Sequence, residues 1–342
     1  MTSSSLISKL SEQEKETWLD ARKPKIVVCG MKKSGKSSIL RVLFNKLSPH
    51  EAGYLEPTPQ PCFVSLKGKN PLLNVEIAEI PGSWSWEESD AVDQLFFAQC
   101  QSLIIVIDAS SGSDDAPLPA SVFSFAKRII ARALKVRRQQ GLFIHLFLNK
   151  VDANFRFDPD SPQAEARKAS FLESISTAIA QEVKVEIQAH CTCIFDNSIH
   201  EAFSKVIQRP LLANGKIEQI LDIMVTCCRL EKAVLFDLGS KITFGSDSSQ
   251  TDSNTVSLMQ DLLDVIIDMI AIYGAYDDAE GGAKTSCNIA LSSGQVIYMR
   301  LIEAPNLALV SILKAENFEK SFLLNHNVDA FRNALMQIVT IS

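Results

Sequence analysis

The sequence holds no stretch approaching the ~18 uninterrupted apolar residues of a membrane-spanning helix. Its longest apolar runs, such as "LIIVI" at 103–107, are strand-sized. Basic residues are not in excess: 34 Lys and Arg stand against 40 Asp and Glu, a net charge of −6, and this argues against a nucleic-acid-binding surface, which needs a basic stripe. Of the eight cysteines none has Cys-x-x-Cys spacing, so reduced thiols in the cytoplasm are expected rather than a disulfide framework. The opening "MTSSSLISKLSEQEKETW" lacks the apolar core of a signal peptide. Thr2 excludes myristoylation, and the final "IVTIS" is no prenylation box. Residence at a membrane is therefore expected only through partners. What remains, 46% apolar and 22% charged over 342 residues, suits a globular chain of two domains.

Residues 1–23 are polar and helix-permissive and are expected to form a loosely held extension. From Lys25 strands and helices alternate. "KIVVCG", "LLNVEIAEI", "SLIIVIDA", "LFIHLFLNK" and "VEIQAHCTCI" read as strands. "KSSILRVLFNKL", with Ile39, Leu40, Leu43 and Leu47 on one face, reads as a helix. So do "PASVFSFAKRIIARALKVRRQQG", stopped by Gly141, "QAEARKASFLESISTAIAQE", and "HEAFSKVIQ", ended by Pro210. This rhythm implies a mainly parallel sheet with functional loops at the carboxyl ends of its strands. After about residue 210 the order becomes strand, strand, helix, three strands and a helix, an α+β second domain.

The loop Gly30-Met-Lys-Lys-Ser-Gly35-Lys36-Ser37 fits G-x-x-x-x-G-K-[ST] between a strand and a helix. Its glycines let successive N–H groups point at one oxyanion, and the helix N-terminus adds its positive end. Lys36 is suited to the outer phosphates and Ser37 to Mg²⁺; the alternative is a chance Gly-Lys-Ser turn. Asn149-Lys150-x-Asp152 ends a later strand. Guanine offers N1–H and an amine on one edge, which one carboxylate accepts together, so Asp152 there selects guanine against adenine. The stem of Lys150 is long enough to cover the ring face. Thr58, in "YLEPTP", is placed to complete the Mg²⁺ sphere, unless it is only a surface residue of a Pro-rich loop. In "HCTCIFDNS" the N–H of Cys193 or Ile194 is a candidate partner for the guanine carbonyl. His190, Cys191 and Cys193 alternate along a strand without an evident fourth ligand, so a metal site is not expected there. "HEAFS" lacks the second His of a zinc protease.

With the P-loop, Thr58, "EIPG", "NKVD" and "TCI" in this order, residues 24–208 resemble the Ras-related small GTPases. "GMKKSGKSSILRVLFNKLSPHEAGYLEPT", "VIDAS", "FDNSIHEAFSKVIQ" and "EKAVLFDLGSKI" narrow the resemblance to the Rag GTPases, C/D-type (yeast Gtr-like). The resemblance implies an α/β P-loop GTPase (Ras-like) domain at 24–208 followed by an α+β roadblock-type dimerisation domain at 209–342. It also implies GTP/GDP and Mg as ligands and a heterodimer with an A/B-type Rag GTPase. Further implied partners are a Ragulator-like scaffold at the lysosome or vacuole, a GTPase-activating protein, and the target-of-rapamycin complex as recipient of amino-acid signals. By position, Lys33, Ser34, Gly35, Lys36, Ser37 and Ser38 would cradle the phosphates, with Ser37 and Thr58 on Mg²⁺. Asn149 and Asp152 would read guanine, with Cys193 and Ile194 beside it.

The departures bear on catalysis. The family's Asp-x-x-Gly-Gln tract is here Glu79-Ile-Pro-Gly82-Ser83. Glu79 can serve the metal's outer shell, but Ser83 is too short to orient a water as Gln does. Trp84 and Trp86 follow where polar residues are usual, and Cys193 replaces a Ser. Two readings follow, a slowly hydrolysing switch and a hydrolysis-deficient scaffold subunit; a P-loop ATPase or kinase is a weaker rival. Helix 256–273 carries apolar residues on more than one face, among them Leu258, Met259, Leu263, Val265, Ile266 and Met269. Such a face suits a dimer interface or burial within the domain equally.

Overall fold

The computed structural model describes Trp18 and residues 25–66, 72–84, 90–111, 118–137, 141–153, 164–183, 185–211, 215–249, 253–273, 286–303, 306–319 and 321–341. The chain divides into two compact units, Met1–Lys67 with Leu73–Ala202, and Gly68–Leu72 with Phe203–Ser342.

In the first unit β1 (Lys25–Gly30) is followed by α1 (Lys36–Asn45), a short α2 (Pro49–Ala52), β2 (Cys62–Ser65), β3 (Glu76–Glu79), α3 (Asp90–Phe97) and β4 (Cys100–Asp108). Then come α4 (Ala120–Val136), β5 (Phe143–Asn149), α5 (Ala164–Val183), β6 (Ile187–Thr192) and the start of α6 (Ser198–Leu211), whose residues from Phe203 on are counted in the second unit. The sheet order is β2-β3-β1-β4-β5-β6. Every pairing is parallel except β2 with β3. β1 and β3 are buried along their whole length, because helices cover both faces of a parallel sheet and strands there are apolar throughout. The register sets Asp108 opposite Asn149 and Asn149 opposite Thr192. Three polar side chains from three strands thus line up along one carboxyl edge.

Several expectations need correction. β2 and α3 were not foreseen. β2 is a four-residue, half-exposed edge strand without an apolar pattern. α1 stops at Asn45, where Lys46 turns left-handed (φ 54) and its N–H bonds Arg41 O; Phe44 rather than Leu47 completes the buried face. α4 ends at Val136, before Gly141. α6 runs through Pro210 to Leu211, since a proline near a helix end removes few hydrogen bonds. Trp18 is 2% exposed within the first unit's core, so residue 18 is not loosely held.

The second unit holds α7 (Lys216–Cys228), β7 (Lys232–Asp237), β8 (Thr243–Ser246), α8 (Ser253–Tyr273), β9 (Ser286–Ala290), β10 (Gln295–Glu303), β11 (Leu307–Lys314), a short α9 (Ala315–Phe318) and α10 (Ser321–Ile341). Its antiparallel sheet is ordered β8-β7-β11-β10-β9. The helix α7 was overlooked in the sequence, although Ile217, Leu221 and Met224 bury one stripe of it. On α8, Met259, Leu263 and Ile266 pack onto Val234, Ile297 and Val310. Leu258, Val265, Met269 and Ile272 of the same helix stay exposed on the chain. The apolar excess of α8 is therefore divided between its own core and an outer stripe.

Between β10 and α10 the buried Arg300 bonds Asn325 O at 2.9 Å and Asp329 Oδ1 at 2.5 Å, while Tyr298 donates to Asn325 Oδ1 at 2.7 Å. Arg300→Ala is expected to destabilise the protein by about 2 kcal/mol, because it strands these acceptors; urea denaturation followed by circular dichroism checks it. No helix among the described residues is long and apolar enough to cross a membrane.

Candidate nucleotide site

The loop from β1 to α1 is shaped by close approach. A Cβ on Gly30 would stand 2.4 Å from Val106 O, and one on Gly35 2.2 Å from Asn149 Nδ2. Gly35 is also left-handed (φ 98), as is Lys33 (φ 65); alternation of this kind turns successive N–H groups toward one concavity. Asn149, 2% exposed, donates through Nδ2 to Ser34 O at 3.0 Å and accepts from Thr192 Oγ1 at 3.4 Å. One N–H and one acceptor site of its amide are thus engaged by the loop and by β6, and Asn149 ties the loop to the sheet; a second N–H and a second lone pair remain for a base.

Beneath the loop lies a cavity of about 580 Å³ lined by Lys32, Lys33, Gly35, Lys36, Ser37, Ser38, Tyr54, Thr58, Glu79, Gly82, Ser83 and Lys150, among others. Four lysines thus converge on one cavity in a chain whose net charge is −6, an arrangement that attracts an anion. Lys36 is buried and donates to Gly30 O and Met31 O, each at 3.0 Å. Burial lowers its pKa and the nearby Glu79 carboxylate opposes that shift. Ser37 Oγ donates to Glu79 Oε1 at 2.5 Å and lies 2.8 Å from Thr58 Oγ1. Thr58 Oγ1 is itself 3.5 Å from Glu79 Oε1. Two hydroxyls and one carboxylate, gathered from α1, the loop before β2 and the end of β3, form the hard oxygen set that Mg²⁺ takes. Ser34 Oγ is buried with no hydrogen-bond partner among the described residues. Cradle, cations and oxygen set all fit a magnesium-bound phosphate chain.

Lys150 (φ 65) reaches over this loop. Its Nζ donates to Lys33 O at 2.7 Å and to Asp108 Oδ2 at 2.5 Å. Asp108, held also by Ser110 N at 3.0 Å, was missed in the sequence; the signal available was an acidic residue at the end of β4, level with Asn149.

Asp152, Cys193 and Ile194 do not line the cavity. Asp152 is exposed on the one-turn helix Val151–Ala153 after β5. The buried Cys193 thiol lies beside it, and burial first, then the neighbouring Asp152 carboxylate, drive that thiol up to about 12. Cys193 N–H donates to Ser198 Oγ at 2.9 Å, so of the two candidate N–H groups for a guanine carbonyl Cys193 is already engaged. Phe195, exposed after Ile194, packs 5.4 Å from His50 of α2. His190 stacks on His145 at 5.7 Å and meets Phe147 edge-on. Ser83 is exposed at the cavity, whereas Trp84 is buried against Phe96; Trp86 lies outside the described residues.

A parallel sheet with a phosphate loop after β1, a hydroxyl–carboxylate cluster beneath it and Asn-Lys-x-Asp after β5 defines a Ras-like P-loop GTPase fold. The profile of the Gtr1/RagA G protein conserved region matches residues 25–270. Ras-related GTP-binding protein C of Homo sapiens is 31% identical over 325 residues, spanning 94% of this chain and 78% of that protein. GTP-binding protein gtr2 of Schizosaccharomyces pombe is 32% identical, spanning 92% of this chain and 97% of its own length. Among solved structures, the Arl6 BBS3 small GTPase of Trypanosoma brucei superposes at a TM-score of 0.37 and 18% identity over 56% of this chain and 98% of that one, too low to add to the assignment. The chain belongs to the Gtr1/RagA family of G proteins and is of the Rag C/D type.

Proposed function

We propose that the protein is a guanine-nucleotide-binding switch subunit that holds GTP or GDP with Mg²⁺ and hydrolyses GTP slowly. The observation that carries this is the meeting of Ser37, Thr58 and Glu79 beneath a loop lined by four lysines. Ser37 and Thr58 would hold Mg²⁺, with Glu79 behind them, and the ion supplies charge neutralisation between the outer phosphates. Lys33 to Ser38 cradle the phosphates; Lys36 carries the charge nearest them, and Lys150, fixed by Asp108, covers the base that Asp152 reads. Because Thr58 sits in a loop and Ser37 on a helix, a terminal phosphate that orders that loop is a physical basis for a switch.

Hydrolysis is slow on this reading because Ser83 cannot reach a water in line with the terminal phosphate. Ser83→Gln is expected to speed single-turnover hydrolysis about tenfold by restoring an amide of sufficient length; a rate left unchanged, measured with γ-labelled GTP, counts against this placement. The same exposed, short Ser83 favours the second reading, a hydrolysis-deficient scaffold subunit. Release of no phosphate under any condition, with a GTPase-activating protein included, selects that reading.

The second unit is proposed as a roadblock-type domain that pairs with an A/B-type Rag subunit; the outer stripe Leu258, Val265, Met269 and Ile272 supports an interface of this kind. In that heterodimer the protein would dock on a Ragulator-like scaffold at the lysosomal or vacuolar surface and relay amino-acid sufficiency to the target-of-rapamycin complex. Co-purification with an A/B-type subunit, followed by chromatography of the bound nucleotide, tests partner and ligand together. Release of adenine rather than guanine nucleotide sinks the proposal.

A further inference from the structure

The base end of the nucleotide site carries a ring contact that no motif assigns. Phe195 follows β6 and, although large and apolar, is 54% exposed. The turn around it is pinned. Cys193 N–H donates to Ser198 Oγ at 2.9 Å, Phe195 N–H to Cys193 Sγ at 3.3 Å, and Ser198 N–H to Asp196 Oδ1 at 2.8 Å. The exposed ring is therefore held out rather than left loose. It meets His50 of α2, with ring centroids 5.4 Å apart and planes tilted by 54°. His50 is exposed as well, so the contact lies at the outer rim.

Each ring is tied to one wall of the site. On one side Cys193 packs with Val151 and Ala109 in a small buried cluster, which joins the turn bearing Phe195 to the turn bearing Asp152. On the other, α2 leads into Ala52, Gly53, Tyr54 and Thr58, which line the phosphate cavity with Lys150. Ser38 Oγ, from α1, donates to Ala52 O at 3.4 Å and fixes that wall. A nucleotide with its phosphates in the loop and its base at Asp152 reaches from the one wall to the other. Each ring already has the other as its partner, so the pair closes alike over an empty and a filled site. It must part when a ligand of that length passes.

We infer that His50 and Phe195 form a clasp across the base end of the site, which a guanine nucleotide opens to enter and to leave. The clasp sets how long a nucleotide stays rather than how tightly it is held at equilibrium. This rests on the guanine-nucleotide reading above, and it adds two residues that lie outside every phosphate- and base-reading motif.

The test follows release and uptake of tritiated GDP with Mg²⁺ on the full-length chain, with the dissociation constant measured separately by calorimetry. Phe195→Ala and His50→Ala are each expected to speed release about fivefold, the scale of one aromatic contact. Uptake is expected to quicken alike, so that the dissociation constant stays within about twofold of wild type. The double variant is expected to be no faster than either single one, because the same contact is lost in all three. Phe195→Tyr keeps the ring and is expected to keep the wild-type rates. Rates unchanged in either alanine variant overturn the clasp. Faster release with unchanged uptake also overturns it, since a ring then touches the bound nucleotide itself. Effects that multiply in the double variant show two separate roles and overturn it too. Both side chains are exposed, so the variants are expected to melt as wild type does; if one does not fold, the other decides. A wild-type chain that binds no GDP sinks the guanine reading, whereas one that binds GDP with rates unmoved by the substitutions sinks only the clasp.

Discussion

Gly35→Ala is expected to lower guanine-nucleotide affinity at least about a hundredfold while leaving both units folded. Two costs coincide at this position. The left-handed backbone (φ 98) disfavours any side chain by roughly 1–2 kcal/mol. The new methyl would also fall 2.2 Å from Asn149 Nδ2, so the amide must move, and with it the bond to Ser34 O. Losing that buried bond costs about 1–3 kcal/mol more. Because Asn149 is what ties the loop to the sheet, the loop relaxes and its N–H groups no longer converge on one phosphate. The cost therefore falls on the bound geometry of the loop more than on the core, where Ile26 to Cys29 remain packed. Calorimetric titration with GDP and Mg²⁺, alongside a thermal melt, separates the two effects. Affinity within a few-fold of wild type would show that the strut does not hold the loop in its binding shape.

The same strut illustrates what could be read in advance and what could not. The spacing of Gly30, Gly35, Lys36 and Ser37 is local, and a strand before it with a helix after it leaves little freedom, so the loop was legible. Thr58 and Glu79 were each placed near the metal position on sequence grounds, and they meet Ser37 in one cavity. Whether the first amide of Asn-Lys-x-Asp also braces the loop was not legible from the motif. That choice is made by long-range register, which sets Asn149 between Asp108 and Thr192. Asp108 was passed over for the same reason, as its partner Lys150 is distant in sequence. Trp18 was misread because polar neighbours hid it, and no periodicity reveals a single anchored ring. In the second unit the strands were legible from their apolar runs. The helix α7 was passed over despite its helical spacing, and it matters: it packs against α10 and against β7 and β8 of the sheet.

Asp152→Asn is the sharpest test of base identity. On the proposed reading the carboxylate would accept two hydrogen bonds from guanine, N1–H and the exocyclic amine, both charge-assisted. An asparagine accepts one and turns a donor toward the other, so a bond is lost and a donor–donor clash appears. Discrimination built on such a pair typically reaches 10⁴–10⁵ when it fails, because buried groups are left unpaired. Asp152 is exposed in the structure, so a smaller loss, about a thousandfold in GDP and GTP affinity, is expected here. Xanthine bears a carbonyl where guanine bears its amine, and it presents one donor and one acceptor on that edge. The same substitution should therefore raise affinity for xanthosine nucleotides while guanosine nucleotides are lost. That gain separates a change of base reading from general damage, since a misfolded site binds neither. Asp152 is exposed on the turn after β5, and an asparagine of the same size there should leave that turn in its form. Competition assays with guanosine, xanthosine and adenosine diphosphates on the variant decide the matter. Loss of guanosine binding without gain of xanthosine points to damage of the turn. Unchanged guanosine binding removes Asp152 from the base site, and adenosine binding that persists as guanosine binding disappears restores the P-loop ATPase reading.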